Sequence, residues 1–156
     1  MQEPDILRKK ITFLSQVAQK EHKHLLYSQA QVFAESFTQQ KADTLLEDEA
    51  FAADLEAFTS RFCRFQDTLG DKLFPAWLEL VGEKQKTFLD NLFRLEKLEV
   101  IASAEGWLQI RSLRNKMVHE YINSTVLLTD AVNQANDYIP ELEKSFLAIL
   151  NDMENR

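Results

Sequence analysis

The chain has 156 residues, with 25 Asp and Glu against 18 Lys and Arg for a formal net charge of −7, one cysteine, and only three glycines and three prolines. That length suits one domain with a sizeable core, the few Gly and Pro argue against a sheet-and-turn fold, and the lone Cys63 excludes an intramolecular disulfide. No apolar run approaches the roughly 18 residues of a membrane span. The acidic balance counts against a broad surface for gripping long nucleic acid, though not against a small local site.

The opening Met-Gln-Glu-Pro-Asp has no basic region followed by an apolar one, so no secretory signal is expected and cytoplasmic residence is the simplest reading. Pro4, at an early helical position, opens a first helix expected over 4–37. Its stripe of Leu7, Ile11, Leu14 and Ala18 resumes at Leu25, Val32 and Phe33, interrupted by Glu21-His-Lys-His24. His22 and His24 are two apart and leave a helix in different directions, so no metal site is expected there. Both read as histidines on a solvated face. Thr38 to Asp48 is polar and reads as a loop, with Asp48 as a helix N-cap.

The clearest helix follows, with Phe51, Leu55, Phe58, Phe62, Phe65 and Leu69 spaced by fours and threes. An aromatic stripe of that kind reads as core. The other face carries Cys63, Asp67, Gly70 and Phe74, where small residues permit another helix to come close. Pro75 is expected to kink or end this helix. Cys63 has no histidine near it in sequence and reads as a buried structural thiol. Glu83 to Val100 gives a short helix with Phe88, Leu92 and Leu95 inward.

Ser103 can cap the next helix, and Asn123-Ser-Thr ends it. The last helix runs from about Val126, with Leu128, Ala131, Val132, Ala135, Tyr138, Leu142, Phe146 and Ile149 on one side. Pro140 predicts a kink or break near Ile139. The architecture expected is an all-α antiparallel bundle of four to five helices. There is no Gly-rich phosphate loop and no Cys/His metal spacing, so no cofactor or metal is expected.

One helical run carries chemistry: Arg111-Ser-Leu-Arg114-Asn115-Lys-Met-Val-His119-Glu-Tyr121. A helix turns about 100° per residue. With Arg111 at zero, Leu113, Met117, Ile110, Trp107 and Val118 fill an apolar arc from roughly 200° to 340°. Arg114 falls inside it at about 300°, beside Tyr121 at about 280°. Arg111, Asn115 and His119 line its border with water. A buried guanidinium cannot shed its charge, so it needs an anionic partner, either a carboxylate of this chain or a phosphate. Asp67 is the best candidate carboxylate, and an exposed surface Asp67 is the competing reading. For the run as a whole the plain alternative is a structural salt bridge at Arg114, a boundary histidine at His119 and a core tyrosine at Tyr121.

Arg114-Asn115-x-x-x-His119-x-Tyr121 resembles the Arg-Asn-x-x-x-His-x-Tyr signature of HEPN-domain proteins, specifically the HepT-like toxins paired with minimal nucleotidyltransferases. Ser60-Arg-Phe-Cys-Arg-Phe-Gln-Asp67 through Pro75, and Ala104-Glu-Gly-Trp107-Leu-Gln-Ile-Arg111, are similar to the rest of that family's core, taken over about 50–150 of a single domain 1–156. The resemblance implies a dimerising HEPN-like bundle and a metal-independent endoribonuclease toxin of a toxin–antitoxin pair. Arg114 and His119 would be catalytic across a homodimer. Asn115, Arg111 and Asp67 would support them, and Tyr121 would be an adenylylation target. The implied partners are RNA and a cognate nucleotidyltransferase antitoxin.

The residue types suit that chemistry. RNA supplies its own 2′-OH nucleophile, an imidazole transfers protons near neutral pH, and a guanidinium offers planar donors to a crowded anionic phosphorus. Asn115 can orient His119 or bind a phosphate oxygen. Arg114 and His119 diverge by about 140° on one helix, which suits a site shared between two-fold related copies. Two other readings stand beside this one. One is a non-catalytic binding partner or adenylylation target of a nucleotidyltransferase. The other is a plain dimerisation module with the run as an interface ion-pair network.

Overall fold

Pro4 stands in the first turn of α1 (Pro4–Val32), where its missing N–H costs no hydrogen bond, and Asp5 beside it complements the helix dipole. This computed structural model describes residues 3–84 and 86–156, except the side chains of Tyr121 and Ile122. α1 stops at Val32 rather than reaching 37, and it runs unbroken through Glu21–His24. Its buried stripe includes Leu7, Ile11, Leu14, Ala18, Leu25 and Val32. His24 is exposed, but His22 is not on a solvated face. Its ring lies 5.3 Å from that of Phe65, and its Nε2 is 2.6 Å from the Glu143 carboxylate. The expectation for His22 missed this because Glu143 lies on a helix far away in sequence.

The stretch 38–48 is not simply a loop. Thr38 accepts the Lys41 N–H and caps a short α2 (Gln39–Asp43). Phe37, Ala42 and Leu45 are buried, which ties this segment to the core. Asp48 then caps α3 (Glu49–Asp67) by accepting the Phe51 N–H at 3.0 Å.

Pro75 does not end the helix that carries the aromatic stripe. A π-helical turn, Thr68–Leu73, joins α3 to α4 (Phe74–Leu80) without a gap. Within it the Phe74 N–H bonds the Leu69 carbonyl, five residues back. Proline cannot donate and crowds the carbonyl four residues before it, so a widened turn just ahead of Pro75 lets the chain stay helical. α5 (Phe88–Lys97) starts on Thr87, which accepts the Asp90 N–H at 3.2 Å.

Ser103 opens α6 (Ala104–Asn123) by accepting the Gly106 N–H at 3.0 Å. Ser124 alone separates α6 from α7 (Thr125–Glu154), in an extended conformation that turns the chain back on itself. α7 passes through Pro140 as one helix, so the expected break is absent. Pro140 is exposed.

Pairings fix the directions. Gln29 bonds Asn136 while His22 bonds Glu143, so α7 runs antiparallel to α1. Arg114 meets Asp67 while Arg111 meets Asp71, so α6 runs antiparallel to the α3–π-turn rod. The described residues form an all-helical bundle around one apolar core. Phe58, Phe62, Phe65, Phe74 and Trp107 are fully buried in it. Removing any one of these phenylalanine rings is expected to cost about 3–5 kcal/mol. Among the described residues no helix is long and apolar enough to cross a membrane.

Candidate functional site

Trp107, Ile110, Leu113 and Met117 anchor α6, each at most 1 % exposed. This buried seam sets which side chains face the α3 rod and which face outward. Gly70 in the π-helical turn lets α6 come close. A Cβ built there would lie 3.4 Å from both the Phe88 and Trp107 rings and 3.5 Å from a guanidinium nitrogen of Arg111. Arg111 fills that corner. Its guanidinium lies over the Phe88 ring, 3.9 Å from the centroid, and bonds the Asp71 carboxylate. The stack suits a planar cation on an aromatic face.

One turn along, the Arg114 Nη2 is 3.4 Å from Asp67 Oδ2. Asp67 also accepts a hydrogen bond from the fully buried Gln66. Two parallel Arg–Asp contacts therefore bridge α6 and the α3 rod. Beside them lies an open groove of about 440 Å³ between α3 and α6. Glu56, Cys63, Arg64 and Asp67 line one wall, and Arg114, Met117 and Val118 the other.

Arg114 is not buried as its place in the apolar arc suggested. Its side chain is 45 % exposed, and its neighbour Val118 is 61 % exposed. The helical wheel located the apolar arc correctly, but among the described residues no other element covers that part of it. Asn115 and His119 are exposed. Neither side chain makes a hydrogen bond or ion pair among the described residues, and His119 contributes its backbone carbonyl, to Asn123. So the structure gathers Arg111, Arg114 and Asp67 at one interhelical seam and leaves Asn115 and His119 facing outward. The Tyr121 side chain, the candidate modification site, lies outside the described residues.

Cys63 lines the groove and is half-buried. Burial pushes its thiol up to about 11, against the opposing pull of the nearby Arg114 cation and with the help of the Asp67 carboxylate. A thiol so raised is a poor nucleophile at neutral pH. Asp71 was not anticipated at the site, although the sequence carried a signal for it. On antiparallel helices, Arg111 three residues before Arg114 falls opposite the position four residues after Asp67. Among the described residues no group of three His, Cys, Asp or Glu side chains is arranged to hold a metal ion.

The fold thus defines a broad class, an all-helical bundle with an exposed Arg-Asp seam beside an open groove. Comparisons with protein-family models, with curated proteins and with solved structures return no match for this chain.

Proposed function

We propose that this chain is a metal-independent endoribonuclease of the HEPN type, the toxin of a pair whose antitoxin is a nucleotidyltransferase. In this reading Arg114 of one copy and His119 of a second copy act on one RNA phosphodiester. His119 takes the proton of the 2′-OH, whose oxygen attacks the adjacent phosphorus. The 5′-oxygen leaves and is protonated, giving a 2′,3′-cyclic phosphate and a free 5′-OH. Arg114 stabilises the anionic phosphorus with paired donors.

The observation that carries the reading is the exposure of both Arg114 and His119 on α6, at a spacing that one helix cannot converge on a single phosphate. Two-fold pairing of copies supplies the missing convergence. Arg111 and Asp67 support the site from the seam, and Asn115, one turn before His119, can orient it or bind a phosphate oxygen.

Subunit mixing tests the shared site. Arg114→Ala and His119→Ala should each be inactive alone. After unfolding and refolding together, random pairing should restore roughly a quarter of the wild-type rate, because half the dimers carry one intact site of two. No recovery on mixing, with both variants dimeric, would remove the shared-site account.

A second reading draws on two specific features. Asp67 already occupies Arg114, and among the described residues His119 has no side-chain partner to fix its tautomer. Those features suit a non-catalytic partner or modification target of a nucleotidyltransferase. Its mark would be AMP on Tyr121, detectable as a mass increase after incubation with that enzyme and ATP.

A further inference from the structure

The outer face of α1 departs from the charge of the rest of the molecule. α1 carries Arg8, Lys9, Lys10, Lys20 and Lys23 against only Asp5 and Glu21, a surplus of positive charge in a chain of net charge −7. Lys9, Lys10, Lys20 and Lys23 are all exposed. None of them makes an ion pair among the described residues, although Arg and Lys side chains elsewhere do.

The same face carries apolar groups that the core does not use. Phe13 and Tyr27 are each 63 % exposed, and Ile6 is 51 % exposed. With Ile6 at zero, Phe13, Lys20 and Tyr27 fall at about −20°, −40° and −60°, with Lys9 and Lys10 flanking them. The two rings are therefore in line, roughly 21 Å apart along the helix axis.

The stripe continues towards the seam described above. His24 on α1 and Arg61, Arg64 and Glu21 line a pocket of about 230 Å³ where α1 meets α3. Arg61 is held there by bonds to the His24 carbonyl and the Ser28 hydroxyl. Glu21 is the one acid in this lining, with Oε1 buried. Arg64 lines this pocket and also the α3–α6 groove that holds Arg114.

We infer that the Lys9–Tyr27 face of α1 is a binding track for single-stranded RNA, leading over Arg61 and Arg64 to Arg114. Positive charge follows the phosphates, and exposed rings stack on bases, which is the usual construction for single-strand binding without sequence readout. The distance between Phe13 and Tyr27 corresponds to about six nucleotides at a stacked rise of about 3.4 Å. Charge favours a polyanion over a protein partner, and the isolated rings spaced along a basic stripe favour a single strand over a duplex. The choice of RNA rests on the ribonuclease reading, but the track is tested by binding and not by cleavage.

The test is fluorescence anisotropy of a labelled oligouridylate of about 20 nucleotides titrated with full-length protein, across a series of salt concentrations. Replacing Lys9, Lys10, Lys20 and Lys23 together by Ala should weaken binding at least about tenfold and reduce the salt slope by about 3. Phe13→Ala with Tyr27→Ala should weaken it about tenfold while leaving the salt slope unchanged. A control pair on other helices, Lys97→Ala with Lys144→Ala, should bind within about twofold of wild type. Anisotropy reads binding and not cleavage, so a failure of catalysis would leave the track standing. Wild-type binding by the α1 variants, an equal loss in the control pair, or binding to phosphatidylglycerol vesicles with none to RNA would overturn the inference.

Discussion

The Arg114 guanidinium on α6 lies 3.4 Å from the Asp67 carboxylate on α3, and both side chains are open to solvent, at 45 % and 29 % exposure. An ion pair so placed is screened and contributes little to stability. Arg114→Ala is therefore expected to lower unfolding stability by no more than about 1 kcal/mol, measured by urea denaturation. A loss of several kcal/mol would instead mark Arg114 as a structural cation, as the dimerisation-module reading requires.

Glu21 makes stability depend on pH. Burial raises its carboxyl above the ordinary value, although a hydrogen bond from Thr68 and the charges of Lys72 and Arg64 pull the other way. A carboxyl raised in the folded state favours folding below its unfolded value, and that advantage is lost as pH rises through the folded value. Glu21→Gln should therefore be more stable than wild type at pH 7, with the difference vanishing below about pH 4. Thermal melts across that range provide the check, and a variant less stable at pH 7 would contradict the assignment.

Gly70 allows α6 to approach the π-helical turn, and the added atom of alanine would meet its neighbours at 3.4–3.5 Å, ordinary contact. Gly70→Ala should change stability by less than about 1 kcal/mol, since helical alanine offsets the closer fit. Gly70→Leu should lose about 1–3 kcal/mol by overpacking against Trp107 and Phe88. Chemical denaturation of the two variants separates these outcomes.

Much of this arrangement was legible in the sequence, and the gaps have physical causes. The stripe from Leu55 to Leu69 could be read because one face of α3 is wholly covered, so periodicity and burial coincide. Ser103 and Asp48 were legible as caps because a cap is local chemistry. Arg114 was misjudged because a helical wheel locates an apolar arc but not the element that covers it. α2 was missed because a one-turn helix has no period, and only Thr38 with buried Ala42 and Leu45 marked it. Neither Pro75 nor Pro140 interrupts its helix, since a π-helical turn precedes the first and the second lies on an exposed face. The Asp67–Arg114 pairing was legible in the sequence, whereas the His22–Glu143 bond depended on a long-range contact.

Cys63 should be inert. With its thiol pushed up to about 11 by burial, alkylation by iodoacetamide at pH 7.5 should be on the order of a hundredfold slower than for a free thiol. Cys63→Ser should leave RNA cleavage unchanged. Rapid labelling, or loss of activity in the serine variant, would return Cys63 to the candidate site.

The most direct measurement is cleavage of RNA by the purified protein in EDTA, with wild type compared to His119→Ala. The account predicts 2′,3′-cyclic phosphate and 5′-OH ends from wild type and a loss of at least about a hundredfold in the variant. No cleavage by wild type, or equal cleavage by both proteins, would contradict it.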